Sequence, residues 1–306
     1  MNADTSPNSS HRPFFHHVLQ GICMGAADIV PGVSGGTVAL ILGIYERLVT
    51  AISRVDLHLF SLLRHRKWTD AARYIDLRFL LALGTGIGLG ILSLASIIHT
   101  LLQDQMANTF GLFFGLILAS AVIVIRMVER WTLTRGLLAS AGTLFAYSVT
   151  GMVPLEITPT PTYLFICGMV GICAMILPGI SGSFLLLILG TYHHITGTLK
   201  AIVRGQAGLA EIETVILFSM GCLLGILSFS KILRRLLERA RLATLSILCG
   251  FMLGSLRRIW PFKETLKNDQ WINLWPEVSQ ATFIVFLFMF LGVVAVLLLD
   301  RISKKA

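Results

Sequence analysis

Two apolar stretches of this chain are each cut by the same break, and the break limits the folds open to it. The first stretch runs from Val18 to Val30, stops at Pro31-Gly32-Val33-Ser34-Gly35-Gly36 and resumes from Thr37 to Ile44. The second runs from Leu164 to Leu177, stops at Pro178-Gly179-Ile180-Ser181-Gly182 and resumes from Ser183 to Gly190. Proline ends a helix because it lacks the N–H and clashes with the preceding turn; glycine tolerates the reversal that follows. Each arm has about 8–14 residues, short of the roughly 20 needed to cross a bilayer. Irregular backbone at membrane depth is tolerated only inside protein or beside a watery cavity. Pro31, Gly32, Pro178 and Gly179 are therefore expected to shape two re-entrant helical hairpins, at residues 17–47 and 164–193.

The breaks are copies. Aligning Pro31 with Pro178 makes nine of seventeen positions identical, including Gly43 with Gly190 and Tyr45 with Tyr192. The match resumes further on, where Gly90-Ile91-Leu92-Ser93 pairs with Gly225-Ile226-Leu227-Ser228. Thr109, Gly115, Leu118 and Ser120 then pair with Thr244, Gly250, Leu253 and Ser255. Proline, glycine and serine recur, so the match is not a by-product of apolar composition. Repeat 1 covers 14–152, with spans at 79–102, 107–125 and 136–152. Repeat 2 covers 162–300, with spans at 213–229, 244–259 and 281–299. Three crossings per repeat place the second copy upside down. The expected fold is an all-α polytopic membrane protein built as an inverted-topology repeat, each repeat one re-entrant hairpin plus three transmembrane helices.

Composition and charge agree. Only 13% of residues are charged, about half the share of a soluble domain, and 55% are hydrophobic. With the N-terminus inside, 19 of the 25 Lys and Arg fall on the cytoplasmic side and 6 outside, as the positive-inside rule requires. Both termini are then cytoplasmic, and residues 1–13 read as a disordered tail. All five Trp fall in loops or near span ends, as an aromatic belt would place them. The segment Arg64-His65-Arg66-Lys67-Trp68 reads as a basic interfacial helix on anionic phospholipid headgroups. The net charge of +9 is thus a sided property of a membrane protein, with no nucleic-acid fold to use it. Five cysteines without ligand spacing read as apolar packing residues and provide no metal site. His99, near the end of a span, reads as packing.

A helix restarts after each break. Its unpaired N–H groups, an N-cap serine (Ser34, Ser181) and adjacent glycines make an anion site available; the plainer alternative is that the serines only cap. Asp28 is the carboxylate deepest in an apolar segment, and its repeat mate is Met175. Such a group marks a proton or cation site, or caps the N–H groups of its own hairpin. Glu46 and Arg47, with mates His193 and His194, read as interfacial. Gly32-Val33-Ser34-Gly35 also fits a short serine-hydrolase pattern, but no histidine in the sequence is placed to act as its base, so no catalytic residue is assigned.

Met24-Gly25, Ala27-Asp28, the run Pro31 to Thr37 and Gly43-Ile44-Tyr45-Glu46 resemble the signature of the bacterial polyprenyl-phosphate transporter family, formerly a membrane domain of unknown function. The resemblance spans about residues 14–300. It implies a flippase returning undecaprenyl phosphate from the outer to the inner leaflet of the cytoplasmic membrane, for reuse in peptidoglycan and other envelope glycans. On that reading Ser34, Gly35, Gly36, Thr37, Ser181, Gly182 and Ser183 hold the phosphate, with Arg47 as a further partner. Asp28 and then Glu46 are the candidates for ion coupling, with proton or sodium as the ion and no other cofactor. The nearest rival is a small-anion channel or exchanger using the same helix ends.

Overall fold

The computed structural model describes residues 14–30, 32–265 and 271–305; Pro31 and the tail 1–13 lie outside the described residues. The described chain is almost entirely helical. The first hairpin is α1 (Phe14–Ile29) and α2 (Gly35–Ile41); the chain then turns by 118° into α3 (Tyr45–Ser53). Two short helices, α4 (Leu57–Arg64) and α5 (Trp68–Tyr74), lead into α6 (Leu77–Asp104), α7 (Met106–Met127) and α8 (Leu133–Thr150). The second half repeats the pattern with α9 (Pro161–Ile176), α10 (Gly182–Ile188), α11 (Tyr192–Val203), α12 (Leu209–Ser255) and α13 (Gln280–Lys305). Between α12 and α13, β1 (Lys263–Thr265) pairs antiparallel with β2 (Trp271–Asn273), Glu264 opposite Ile272.

Among the described residues, four helices are long and apolar enough to cross a bilayer: α6, α7, α12 and α13. The bent pair α2–α3 supplies a fifth if counted as one span. α8, expected as a span, has 18 residues but is diluted by Ser, Thr and Gly and falls short in apolarity. The spans expected at 213–229 and 244–259 lie in one 47-residue helix, and the charged segment between them, expected as a loop, is helical. A straight helix of that length would reach about 70 Å, more than twice a bilayer core. Ala240 interrupts it with φ −141° and ψ 47°. Its repeat mate is Gln105, which separates α6 from α7 with φ −135° and ψ 42°. The same residue position breaks the helix in the same way in both halves. The basic segment at 64–68 is also corrected: α4 ends at Arg64, Arg66 takes φ 57°, and α5 starts at Trp68. The cluster is an exposed turn between two helices.

Glycines set the helix contacts. A Cβ on Gly86 would strike the carbonyl of Val18, and one on Gly90 that of Ile22, so α6 lies directly on α1. The mates Gly221 and Gly225 meet the carbonyls of Phe165 and Met169, bringing α12 onto α9 in the same register. Gly115 meets Met289 of α13, and Gly250 meets Ala139 of α8. Small residues allow this approach, which dispersion rewards in a lipid environment. The core gathers Tyr45, Phe79, Ile117, Leu248 and Met252, where α1–α3 meet α6, α7 and the second arm of α12.

Candidate functional site

The two breaks, far apart in sequence, touch each other. Ser34 is buried at the N-cap of α2, and its Oγ accepts from the Gly36 N–H at 3.1 Å. The same hydroxyl lies 3.1 Å from the Leu177 carbonyl and 3.3 Å from that of Met175, to which it donates. In return, the Gly179 N–H donates to Thr37 Oγ1 at 2.9 Å. A Cβ on Gly36 would lie 2.5 Å from the Ile176 carbonyl. Thus each tip satisfies polar groups of the other in the protein interior, where an unpaired group is costly.

Asp28 reaches over its own break. Its Oδ1 accepts from the Gly35 N–H at 2.7 Å, a charge-assisted cap at the positive end of α2. In the second hairpin Met175 stands in that place, its side chain against Gly182. There Ser181 Oγ caps the Phe184 N–H at 3.5 Å and lies 2.9 Å from Ser183 Oγ. Of the expected site residues, Asp28, Ser34, Gly35, Gly36 and Thr37 form one cluster that meets Gly179 of the second tip, and Ser181, Gly182 and Ser183 follow directly on that tip. The hydrolase pattern gains no support: Ser34 is bonded to carbonyls and a backbone N–H, not to a histidine.

Glu46 and Arg47 are not brought to the tips. They open α3, beyond the far end of α2. Arg47 Nε pairs with Asp76 at 2.7 Å, and its guanidinium stacks on Phe79 at 4.2 Å. Its guanidinium also lies 3.1 Å from His17 Nε2, and that ring's Nδ1 is 2.8 Å from the side-chain oxygen Oε1 of Gln20. Glu46 pairs with Arg241 of α12 at 2.7 Å.

A third group escaped the sequence reading. A cavity of about 530 Å³ lies beside α10, lined by Arg257, Arg258, Lys263, Phe184, Tyr147 and Asn273 among others. No described lining residue is acidic. The Arg258 guanidinium stacks on Phe184 at 4.2 Å, while its stem packs on Gly32, where a Cβ would sit 2.9 Å from Arg258 Cγ. One side chain thus bridges the first break and the helix that follows the second. Arg257 stacks on Tyr147 at 4.3 Å and donates to its carbonyl at 3.1 Å. Lys263 donates to the Arg258 carbonyl at 2.6 Å and lies 3.8 Å over the Phe110 ring. Burial first, and the Arg258 charge second, push the Lys263 ammonium down to about 7. The sequence did hold a signal: the repeat mates of Arg257 and Arg258 are Val122 and Ile123, an asymmetry of the kind that singled out Asp28.

The long apolar helices define a multi-pass membrane protein, with two buried tips in contact and a basic cavity beside α10. The chain belongs to the undecaprenyl phosphate translocase-like family, whose profile matches residues 24–273. A polyprenyl-phosphate transporter of Vibrio cholerae is 44% identical over 248 residues, covering 81% of this chain and 78% of the relative. Another, from Staphylococcus aureus, is 29% identical over 302 residues, covering 94% of this chain and 97% of the relative. No solved structure matches.

Proposed function

We propose that this protein carries undecaprenyl phosphate from the outer to the inner leaflet of the cytoplasmic membrane, with the phosphate held at the hairpin tips and the polyprenyl tail left in lipid. Family membership supports polyprenyl phosphate as the cargo. The observation that carries the site is the pairing of the two tips across the interior. The Ser34 hydroxyl and the N–H groups of Gly35, Gly36 and Gly179 satisfy one another or nearby caps here. A phosphate can replace those partners when the tips separate, so headgroup entry and tip separation are one event. The two halves act as inverted repeats that rock against each other around the tips, consistent with the matched glycine contacts.

The two ends of the molecule support an inward direction. The second arm of α12, from Arg241 to Ser255, rises about 21 Å, and Arg257 lies just past its end. At the Arg241 end, the pairs Glu46–Arg241 and Arg47–Asp76 tie α3 to α12 and to the start of α6; at the Arg257 end the cavity opens beside Phe184 and Leu187 of α10. The basic-residue count supports the first end inside and the second outside. In this reading Glu46 and Arg47 close the cytoplasmic face and do not bind cargo. The headgroup carries roughly −1.5 to −2 charges, and moving it inward against 100 mV costs about 3.5–4.6 kcal/mol. Co-transport of protons or sodium through Asp28 offsets that cost.

The serines test the tip site. Ser34→Ala with Ser181→Ala removes both caps while leaving the glycine geometry intact. Polyprenyl-phosphate binding by the purified double variant is expected to fall by about tenfold or more. Binding equal to that of the parent protein would rule the tips out as the headgroup site.

A further inference from the structure

We propose that the cavity lined by Arg257, Arg258 and Lys263 is a docking site for a phosphate monoester headgroup, occupied before the headgroup passes to the hairpin tips. The inference rests on the transport reading above and adds a site to it. The cavity volume of about 530 Å³ lies in the range of small-molecule sites, enough for a phosphate, its waters and the first carbons of a chain. Three basic side chains share it, and no described lining residue is acidic. Both guanidinium groups rest on aromatic rings and Lys263 lies over a third, so little side-chain freedom remains to be lost on binding. A planar guanidinium also matches phosphate oxygens in a bidentate pair.

Two further observations set this cavity apart from an ordinary basic loop. Arg258 touches the first break at Gly32 and, through Phe184, the helix that follows the second, so an anion held there lies beside α10. And the repeat mates of Arg257 and Arg258 are Val122 and Ile123, apolar residues inside α7, so the two cations belong to one half alone. On the face assigned to the outside, such a site selects anionic lipid from the outer leaflet.

The test uses the purified full-length chain in detergent with three probes: a short-chain polyprenyl monophosphate, the matching neutral polyprenol, and inorganic phosphate. The monophosphate is expected to bind, and each of Arg257→Gln and Arg258→Gln to weaken it by about 10- to 100-fold, with polyprenol binding unchanged. Ile272→Glu places a carboxylate on an exposed position of the cavity wall and is expected to weaken binding without disturbing the core. It carries the comparison should the glutamine variants fail to fold. Raising the pH through about 7 discharges Lys263 beside Arg257 and Arg258 while the headgroup is already largely dianionic, so affinity is expected to fall. Unchanged affinity in the glutamine and Ile272→Glu variants overturns the docking site. Inorganic phosphate binding as tightly as the lipid overturns the lipid headgroup in favour of a free anion. If the wild-type protein moves lipid between leaflets while the variants bind normally, the docking site alone fails; if it neither binds nor moves lipid, the transport reading fails too.

Discussion

Asp28→Asn is expected to leave the protein folded and to disconnect transport from the ion gradient. The geometry separates the two roles of this side chain. An asparagine in its place keeps an oxygen able to accept the Gly35 N–H, so the cap on α2 survives with the loss of its charge-assisted part, about 1 kcal/mol. Asp28→Ala removes the acceptor as well and leaves a buried N–H unpaired, a loss of about 1–3 kcal/mol. Only the titratable charge is missing from the asparagine variant. Uncompensated inward movement against 100 mV, at the roughly 3.5–4.6 kcal/mol given above, corresponds to about a 400- to 2,000-fold bias toward the outer leaflet. In proteoliposomes with an inside-negative potential and imposed proton or sodium gradients, the parent protein is expected to overcome that bias and the asparagine variant to fail. A variant that responds to both gradients as the parent does would make Asp28 a cap and nothing more.

The second large effect is expected at Gly179. Its φ of +88° lies in the left-handed region, and a Cβ there would sit 2.7 Å from the backbone of Met252. The left-handed conformation alone costs a non-glycine residue about 1–2 kcal/mol. The backbone of α12 cannot move aside as a flexible side chain would, so a shift of the tip adds to that strain. Gly179→Ala is expected to lose about 3 kcal/mol or more of stability and most of the binding activity, because the same peptide donates to Thr37. Gly43→Ala is the control. It has φ +69° with nothing within 4 Å of the added carbon, so it is expected to show only the conformational part. Thermal denaturation of the two purified variants checks this; equal losses would mean that the tip's approach to α12 carries no energetic weight.

Much of this fold was legible because its signals are local. The Pro-Gly-x-Ser-Gly breaks, the N-cap serines and the ends of α6 and α7 are all set by residues within a few positions of each other. The small-residue pairs found by aligning the halves are the contacts that bring α1 onto α6 and α9 onto α12. Charge misled where it stood for a loop. Residues 231–241 carry five basic residues but are rich in Leu, Arg and Glu, strong helix formers, and the helix continues through them to the break at Ala240. Residues 64–68 failed in the opposite sense, since a left-handed residue ends the helix that the charge pattern implied.

What no local pattern held was the meeting of distant segments. That Ser34 would bond to the carbonyl of Leu177, or that Arg258 would lie between Gly32 and Phe184, depends on how the halves dock. Arg257, Arg258 and Lys263 were counted as outer-loop charges because their distance from the tips is short only in space. The useful sequence signal lay in the asymmetry of the aligned halves: Asp28, Arg257 and Arg258 are charged where their mates Met175, Val122 and Ile123 are apolar.

The central claim is that the protein moves the headgroup of polyprenyl phosphate across a bilayer. Purified protein reconstituted into liposomes with a labelled polyprenyl phosphate in one leaflet tests it directly. The account predicts protein-dependent, saturable movement of the label to the other leaflet, faster than in protein-free vesicles and reduced by Ser34→Ala with Ser181→Ala. Exchange no faster than in protein-free vesicles, with a folded protein that responds to the imposed gradients by passing small anions alone, would contradict it.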